Sequence, residues 1–451
     1  MKIHDRIADF RACGYKKRTQ NMKCRERCVV AVLRLLFTGW ITFAAGKASG
    51  QGTWVPIGPE GGAVAKFFQD PANGNNLYLL SGTYPAVLMK STNKGNSWTA
   101  FSTIQGSAAS FTVNAKKPSE MYMGGYYNFS RSTDSGASWT SNYQNNRSFY
   151  AVSVDSFNQN VLYGCGYEYN GSGYLMAYFK STDKGNTWSS SVMPVTMETG
   201  YANAMAVESK NPKNIWIGGY IVSGSEVLPK LFKTTNGGTS WIDATGKISA
   251  TVVDILIDST NVKRIFLLTQ AGFLKSTDNG LSWSPNSGFL YGYKLAQDPK
   301  NKNTLYIGSS SQIYKSTDAG VNWNAYTNGL SSAGMCNGIV VDKTNSANVF
   351  YGGSTGFFKS TDGGQNWNAF SGGLLLANIT SLKMTQGSPP VLYAAFSGDG
   401  LYKTTNPTGK AEKPEAVTWT KLPRFYDCHN LTDLQVSPID PNVLYAFEGG
   451  G

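Results

Sequence analysis

The stretch STDGGQNW, residues 360–367, packs a hydroxyl, a carboxylate, two glycines and a tryptophan into eight positions, the density of an active-site signature. It is not single. STNKGNSW (91–98), STDSGASW (132–139), STDKGNTW (181–188), TTNGGTSW (234–241), STDNGLSW (276–283) and STDAGVNW (316–323) precede it. A degenerate eighth copy begins at TTNPTG (404–409), where the insert KAEKPEAV delays its tryptophan to Trp419. Successive starts lie about 40 to 53 residues apart, the spacing of one four-stranded propeller blade. A catalytic site is needed once, so eight copies argue for architecture.

Turn chemistry accounts for every position of the box. A carboxylate or amide two residues after Ser or Thr accepts hydrogen bonds from the N–H groups that follow it and closes a turn. Gly at position five supplies the positive φ of a tight hairpin. The tryptophan opens the next strand and packs its apolar surface against the sheet. Position three is Asp at Asp134, Asp183, Asp278, Asp318 and Asp362, but Asn at Asn93, Asn236 and Asn406. An amide keeps the acceptor that a turn needs, yet cannot be a nucleophile, a general base or a charged metal ligand. The boxes are therefore expected to be structural.

Charge is concentrated at the N-terminus. Residues 1–47 carry eleven Lys or Arg against Asp5, Asp9 and Glu26, and so hold +8 of the chain's formal +12. A basic stretch, the apolar run CVVAVLRLLFTGWITFAAG and the small residues ASG (48–50) follow the pattern of a secretory signal cleaved near Gly50, with Met22 as a second candidate start. Residues 1–50 are expected to be a leader and 51–451 the exported protein, secreted or held at the cell surface or in a periplasm. The alternative is an uncleaved anchor, the one route to membrane association; Arg34 inside so short a run weighs against it.

The exported part excludes several classes. Its excess of base is small, and eight basic residues stand one before each box: Lys90, Arg131, Lys180, Lys233, Lys275, Lys315, Lys359 and Lys403. Spread around a ring, they are not the clustered stripe that nucleic acid requires, so no nucleic-acid partner is expected. Cys165, Cys336 and Cys428 are far apart, and His429 is the one histidine left after cleavage. Neither a disulfide framework, a metal centre nor a cofactor is expected. Cys428 and His429 are neighbours, which on an extended chain point apart and make a poor catalytic pair.

Each unit repeats an apolar strand such as GIVVD (338–342), a turn, a second strand with an aromatic centre such as TLYIG (304–308), and a third strand ending in the basic residue and the box. Short strands separated by Gly, Asn and Pro turns give an all-β chain, and four strands per period give a β-propeller. The sequence resembles the BNR or Asp-box repeat family, whose signature S-x-D-x-G-x-x-W five boxes match in full. That resemblance covers residues 52–451 and extends to sialidases, xyloglucan-degrading endoglucanases, sortilin-type receptors and secreted Asp-box repeat proteins. It implies that the boxes occupy the face opposite the substrate. Trp54 reads as an isolated fourth strand and residues 431–451 as two strands of a ninth unit. A single ring of about eight blades, cut short at its C-terminus, is the expected architecture.

Function is then expected in the connections between second and third strands. These are short in later units and long in the third and fourth, GCGYEYNGSGYLMA (164–177) and GGYIVSGSEVLP (218–229), which read as irregular loops on a rigid scaffold. Tyr167, Tyr169 and Tyr174 offer stacking surfaces for sugar rings. Glu168, Glu198 and Glu226 are the candidate catalytic carboxylates, since glycoside hydrolysis needs one acid and one base or nucleophile across a groove. No catalytic residue carries over from the resemblance. The sialidases use three clustered arginines and an Arg-Ile-Pro segment, whereas the exported part has Arg131, Arg147, Arg264 and Arg424 and no such segment. Where the xyloglucan-degrading enzymes carry a catalytic Asp, this chain reads LLSGTYPAV (79–87). A binding or scaffolding module for a polysaccharide or surface protein is the favoured expectation; a divergent glycoside hydrolase, as a fragment of a two-propeller enzyme, is the alternative.

Overall fold

The computed structural model describes residues 63–81, 85–195, 199–285, 290–330, 333–369, 379–385, 391–396, 400–405, 419–422, 431–436 and 444–448. Within them every regular element is a strand, in eight four-stranded antiparallel sheets and one two-stranded sheet. The chain is an all-β propeller. Each blade is one continuous segment whose strands lie side by side in chain order. The leader, Trp54, Asn406, Cys428 and His429 lie outside the described residues.

The first strands of blades 1 to 7 are Val64–Gln69, Ser110–Val113, Arg147–Val154, Thr199–Val207, Val252–Ile257, Lys294–Gln297 and Cys336–Val341. Each packs on the next, and the seventh packs on the first. These strands therefore line a central channel, and each junction between blades holds its own apolar core. At the closing junction Val64, Phe67, Leu79 and Trp98 of blade 1 meet Phe350 and Phe357 of blade 7, with the rings of Phe67 and Phe357 edge to face at 5.7 Å.

Buried polar groups lock the same junction. The Asp342 carboxylate, fully buried, takes the Lys94 ammonium at 2.7 Å and the Gln69 amide at 2.9 Å. Burial raises its pKa, but these partners outweigh burial and hold it well below the usual carboxylate range.

With blades 1 and 7 in contact, no eighth blade fits between them. This corrects the expectation of one ring of eight. The eighth four-stranded sheet, beginning at Ile379–Met384, instead packs on the two-stranded sheet Leu431–Val436 and Leu444–Glu448 around Leu401 and Leu434. The first blade supplies all four of its own strands from one continuous segment.

The boxes explain the spacing between blades. Each sits in the hairpin between third and fourth strands, and its tryptophan directly precedes the fourth. In blade 6 the Ser316 hydroxyl donates to Asp318 Oδ1 at 2.7 Å and accepts from the Gly320 N–H at 2.8 Å. Asp318 Oδ1 accepts from the N–H groups of Val321 and Asn322, and Asn322 Nδ2 donates to Oδ2 at 2.7 Å. Where position three is Asn the outer bond reverses, Asn93 Nδ2 donating to Ser97 Oγ at 2.8 Å. Glycine five is left-handed as expected, but so is position four, where Lys94, Ser135, Lys184, Asn279 and Ala319 have φ between 56° and 63°. Such residues cost roughly 1–2 kcal/mol each in that region, which the turn's hydrogen bonds offset.

The glycine also has a tertiary role. A Cβ on Gly185 would lie 2.2 Å from the Phe129 ring of the preceding blade, on Gly280 2.3 Å from Trp216, on Gly320 2.7 Å from Phe273, and on Gly95 2.5 Å from Phe357. Six of the seven boxes whose glycine is described dock in this way on an aromatic ring of the blade before them, including across the closure, and Gly136 meets Leu88 instead.

Two tests follow from the box. Asp318→Asn should change stability by less than about 0.5 kcal/mol, because Asn322 can turn its amide to meet the new donor. Asp318→Ala should cost about 1–2 kcal/mol by leaving turn amides without a protein acceptor. Gly320→Ala should cost about 1–3 kcal/mol from strain and overpacking together. Urea midpoints at neutral pH give the ordering, and an Asp318→Asn cost as large as that of Asp318→Ala would overturn the acceptor account.

Acid is the second test. Ser138 and Ser282 hydroxyls hold the carboxyls of Asp134 and Asp278 down to about 2; at Asp318 and Asp362 burial is the largest single influence and raises the carboxyl, but the turn hydrogen bonds together outweigh it and hold both at about 2. A folded pKa below the unfolded one gives stability that is present above about pH 4 and lost as pH falls through about 2. Urea midpoints measured down that range should fall in wild type and fall less steeply in Asp318→Asn.

Candidate ligand-binding face

Opposite the boxes, blades 3 and 4 rise above the others. The sequences read as long loops are extended hairpins: Leu162–Tyr169 pairs with Tyr174–Ser181, and Ile215–Ser223 with Glu226–Thr234. Glycines there misled the loop reading, since they are positions of close approach within the sheet. A Cβ on Gly166 would lie 1.9 Å from the Ser148 carbonyl oxygen, and one on Gly219 at 1.9 Å from that of Tyr201.

Alternation along Leu162–Tyr169 sends Tyr167 and Tyr169 to one side and Glu168 to the other. Tyr167 is buried, and four tyrosine rings stand edge-on around it: Tyr127 at 6.1 Å, Tyr150 at 5.7 Å, Tyr174 at 4.9 Å and Tyr201 at 5.4 Å. The array continues to Tyr126 through Tyr150, to Tyr220 through Tyr201, and to Tyr169 through Tyr174. Burial first, then Tyr126 and Tyr167, push the Tyr150 phenol far above its ordinary value, and the Tyr167 hydroxyl beside Tyr127 raises that phenol too. These groups are neutral donors and acceptors. At the surface stand Tyr126, 53% exposed, Tyr169, 40% exposed, and Tyr143, 72% exposed.

Of the three tyrosines expected from sequence, Tyr169 is exposed, Tyr174 is half-buried and Tyr167 is the hidden centre. Tyr126, Tyr127, Tyr150, Tyr201 and Tyr220 were missed, being scattered over three strands and one turn of three different units. The adjacent pair at 126 and 127 was the available signal.

The carboxylates do not gather. Glu168 receives Arg147 Nε at 3.0 Å and Asn146 Nδ2 at 3.1 Å on the side away from Tyr167. Glu226 stands exposed at the hairpin tip opposite Ser223, and Glu198 lies outside the described residues. Every carboxyl among the described residues whose pKa departs from its ordinary value is held below it.

Two depressions of about 430 and 420 Å³ open on the box face, between blades 2 and 3 and blades 3 and 4. In the first, Lys117 and Lys184 are already paired with Glu120. Cys165 and Cys336 are buried free thiols, and burial raises both, Cys336 to about 12. No group of His, Cys, Asp and Glu able to hold a metal occurs among the described residues.

Neither a protein-family model nor a curated protein matches the chain. Solved propellers do. The chain is similar to the GH74 xyloglucanase from Xanthomonas campestris, with 14% identity and TM-score 0.60 over 77% of this chain and 60% of that one. It is also similar to an ancestral GH74 enzyme, with 15% identity and TM-score 0.54 over 88% and 68%. YCF48 bound to D1 peptide matches with 15% identity and TM-score 0.50 over 67% of this chain and 93% of that chain. The chain thus spans about 60% of the xyloglucanase's length. Identities this low speak to the fold, and the fold they share with this chain is the β-propeller.

Proposed function

We propose that the chain is an exported binding module whose tyrosine face holds a polysaccharide. The observation that carries this reading is the pair of exposed rings, Tyr126 and Tyr169, mounted on the buried hub of Tyr167. Rigid, half-exposed phenols present an apolar face to a sugar ring and a hydroxyl to its edge, and being already packed they lose little entropy on binding. Export rests on the leader, with residues 1–50 removed and 51–451 retained. No helix among the described residues is long and apolar enough to cross a membrane. A surface protein is the other partner this face would suit.

A glycoside hydrolase of divergent site is the second reading, and the fold shared with two GH74 enzymes favours it. Weighing against it, the described carboxylates include no acid with a raised pKa beside a free base, the arrangement that hydrolysis requires. Glu168, tied to Arg147, is poorly suited to deliver a proton.

A glycan panel scored for retention and for released reducing ends tests both readings. Tyr169→Ala and Tyr126→Ala should each weaken retention by about 1 kcal/mol, while Glu168→Gln and Glu226→Gln leave it intact. Tyr167→Ala should instead lower stability by about 3–5 kcal/mol, as truncation of a buried ring does. Reducing ends that vanish in the Glu variants would replace the binding reading with the enzymatic one.

A further inference from the structure

Three charged residues stand at one level of the channel-lining strands. Lys66, Asp254 and Lys294 occupy one equivalent position of the first strand in blades 1, 5 and 6, where their register partners are Leu80, Leu268 and Gly308. At the same position blades 2, 3, 4 and 7 carry Ser110, Ala151, Ala204 and Gly338, which are small and uncharged. Blade 7 stands between the blades of Lys66 and Lys294, yet the three residues share one level of the ring of first strands, and the charges of Lys294 and Asp254 both act on Lys66.

Their partners are unequal. Asp254 Oδ2 accepts from the Leu295 N–H at 2.9 Å and Oδ1 from the Ile255 N–H at 3.1 Å, so both oxygens are engaged by backbone. Lys66 and Lys294 have neither an ion-pair nor a hydrogen-bond partner among the described residues. Both are half-buried. Burial and then the like charge of Lys294 push the Lys66 ammonium down to about 7, against a smaller upward pull from Asp254. Cys336, the thiol nearest this group, stays protonated and offers no counter-charge. Two ammonium groups without ion-pair partners at one level of the channel are unfavourable, and the repulsion is relieved either by loss of a proton from Lys66 or by an anion that joins both.

The level of this cluster matters. In blade 3 the same level is Ala151, preceded by Tyr150 of the tyrosine array, and the raised hairpin Gly166–Tyr169 continues above it. The lysines therefore lie at the end of the channel on which the tyrosine face stands.

We propose that Lys66 and Lys294 form an anion site at the tyrosine-lined mouth of the channel, and that the glycan held there is acidic, bearing carboxylate or sulfate groups. The inference rests on the binding reading above for its glycan, and on the lysines alone for its anion. Tyrosine rings stack on sugar faces while the two ammonium groups take the anionic substituent in charge-assisted hydrogen bonds.

Sulfate is the first probe. Its titration at constant ionic strength, with chloride as the balancing salt, should raise the thermal midpoint of wild type in a saturable way. Lys66→Met and Lys294→Met should each abolish that saturable rise, and should raise the midpoint in the absence of sulfate because the repulsion is gone. An identical sulfate response in wild type and both variants would overturn the anion site.

Oligosaccharides are the second probe. A uronate oligosaccharide should bind wild type about tenfold or more tightly than its carboxyl-reduced neutral form. The lysine variants should close that gap, whereas Tyr169→Ala should weaken both sugars alike. Equal binding of the two by wild type would overturn the acidic-glycan proposal and leave the tyrosine face standing. Retention of neither sugar would overturn the binding reading itself, with the sulfate response still deciding the anion site.

Discussion

The box glycine, pressed in six of the seven described boxes against an aromatic ring of the preceding blade, is the contact on which the rest of the ring depends. Without a Cβ, the box comes within van der Waals reach of Phe129, Trp216, Phe273 or Phe357. The Tyr178 and Tyr306 hydroxyls then reach across to the carbonyl oxygens of Gly237 and Gly363 in the neighbouring boxes, each at 3.1 Å. The pre-box lysine serves the same junction. Lys315 lies over Tyr306 and donates to Gly363 O at 2.8 Å, and Lys233 lies over Trp216. A cation over a ring with its hydrogens aimed at the next blade's carbonyl is a local clamp. Lys233 and Lys315, two of the basic residues that stand before a box, are thus committed to joining blades.

This division of labour sets where a ligand can go. Carboxylates on the box face are engaged by turn amides, by Ser or Thr hydroxyls and by lysines, as at Asp318, Asp342 and Glu120. At the other end the chain is under no such constraint, and hairpin length varies. The Leu162–Tyr169 and Ile215–Ser223 strands run eight and nine residues, against four or five for the second strands of the remaining ring blades. A bare two-stranded ribbon is marginal in water. Here the extra length is stabilised by packing tyrosines from three blades around Tyr167, so the feature that could bind a ligand is also what keeps the projection ordered.

The sequence made the boxes, the strand order and the all-β class legible because each is a local matter: a turn residue, an alternation, a period. It did not make legible what depends on a contact between distant units. Eight boxes suggested eight blades in a ring, but closure is decided by Phe67 meeting Phe357 and Asp342 meeting Lys94, which no repeat count contains. The stretch GCGYEYNGSGYLMA was read as a loop because glycine within a strand looks like punctuation, whereas Gly166 is there to let the Ser148 carbonyl oxygen pass. Tyr169 was found from its own hairpin, while Tyr127 and Tyr201 become neighbours of Tyr167 only when three blades stand side by side.

Lys66 shows the same limit in electrostatic form. In VAKFFQ it is one charge in an apolar strand, which in isolation would be a residue pointing to solvent. Ring geometry turns that direction inward, and Lys294, more than two hundred residues later, arrives at the same level from another blade. Alanine, serine or glycine at the equivalent position would line the channel without electrostatic cost, and four blades have them. Burying charge without a partner is unfavourable enough that it is seldom retained where a neutral residue would fit. The two lysines are therefore best understood through something that enters the lumen from outside the fold. Its charge must be negative, and the tyrosine face lies at the mouth through which it would come.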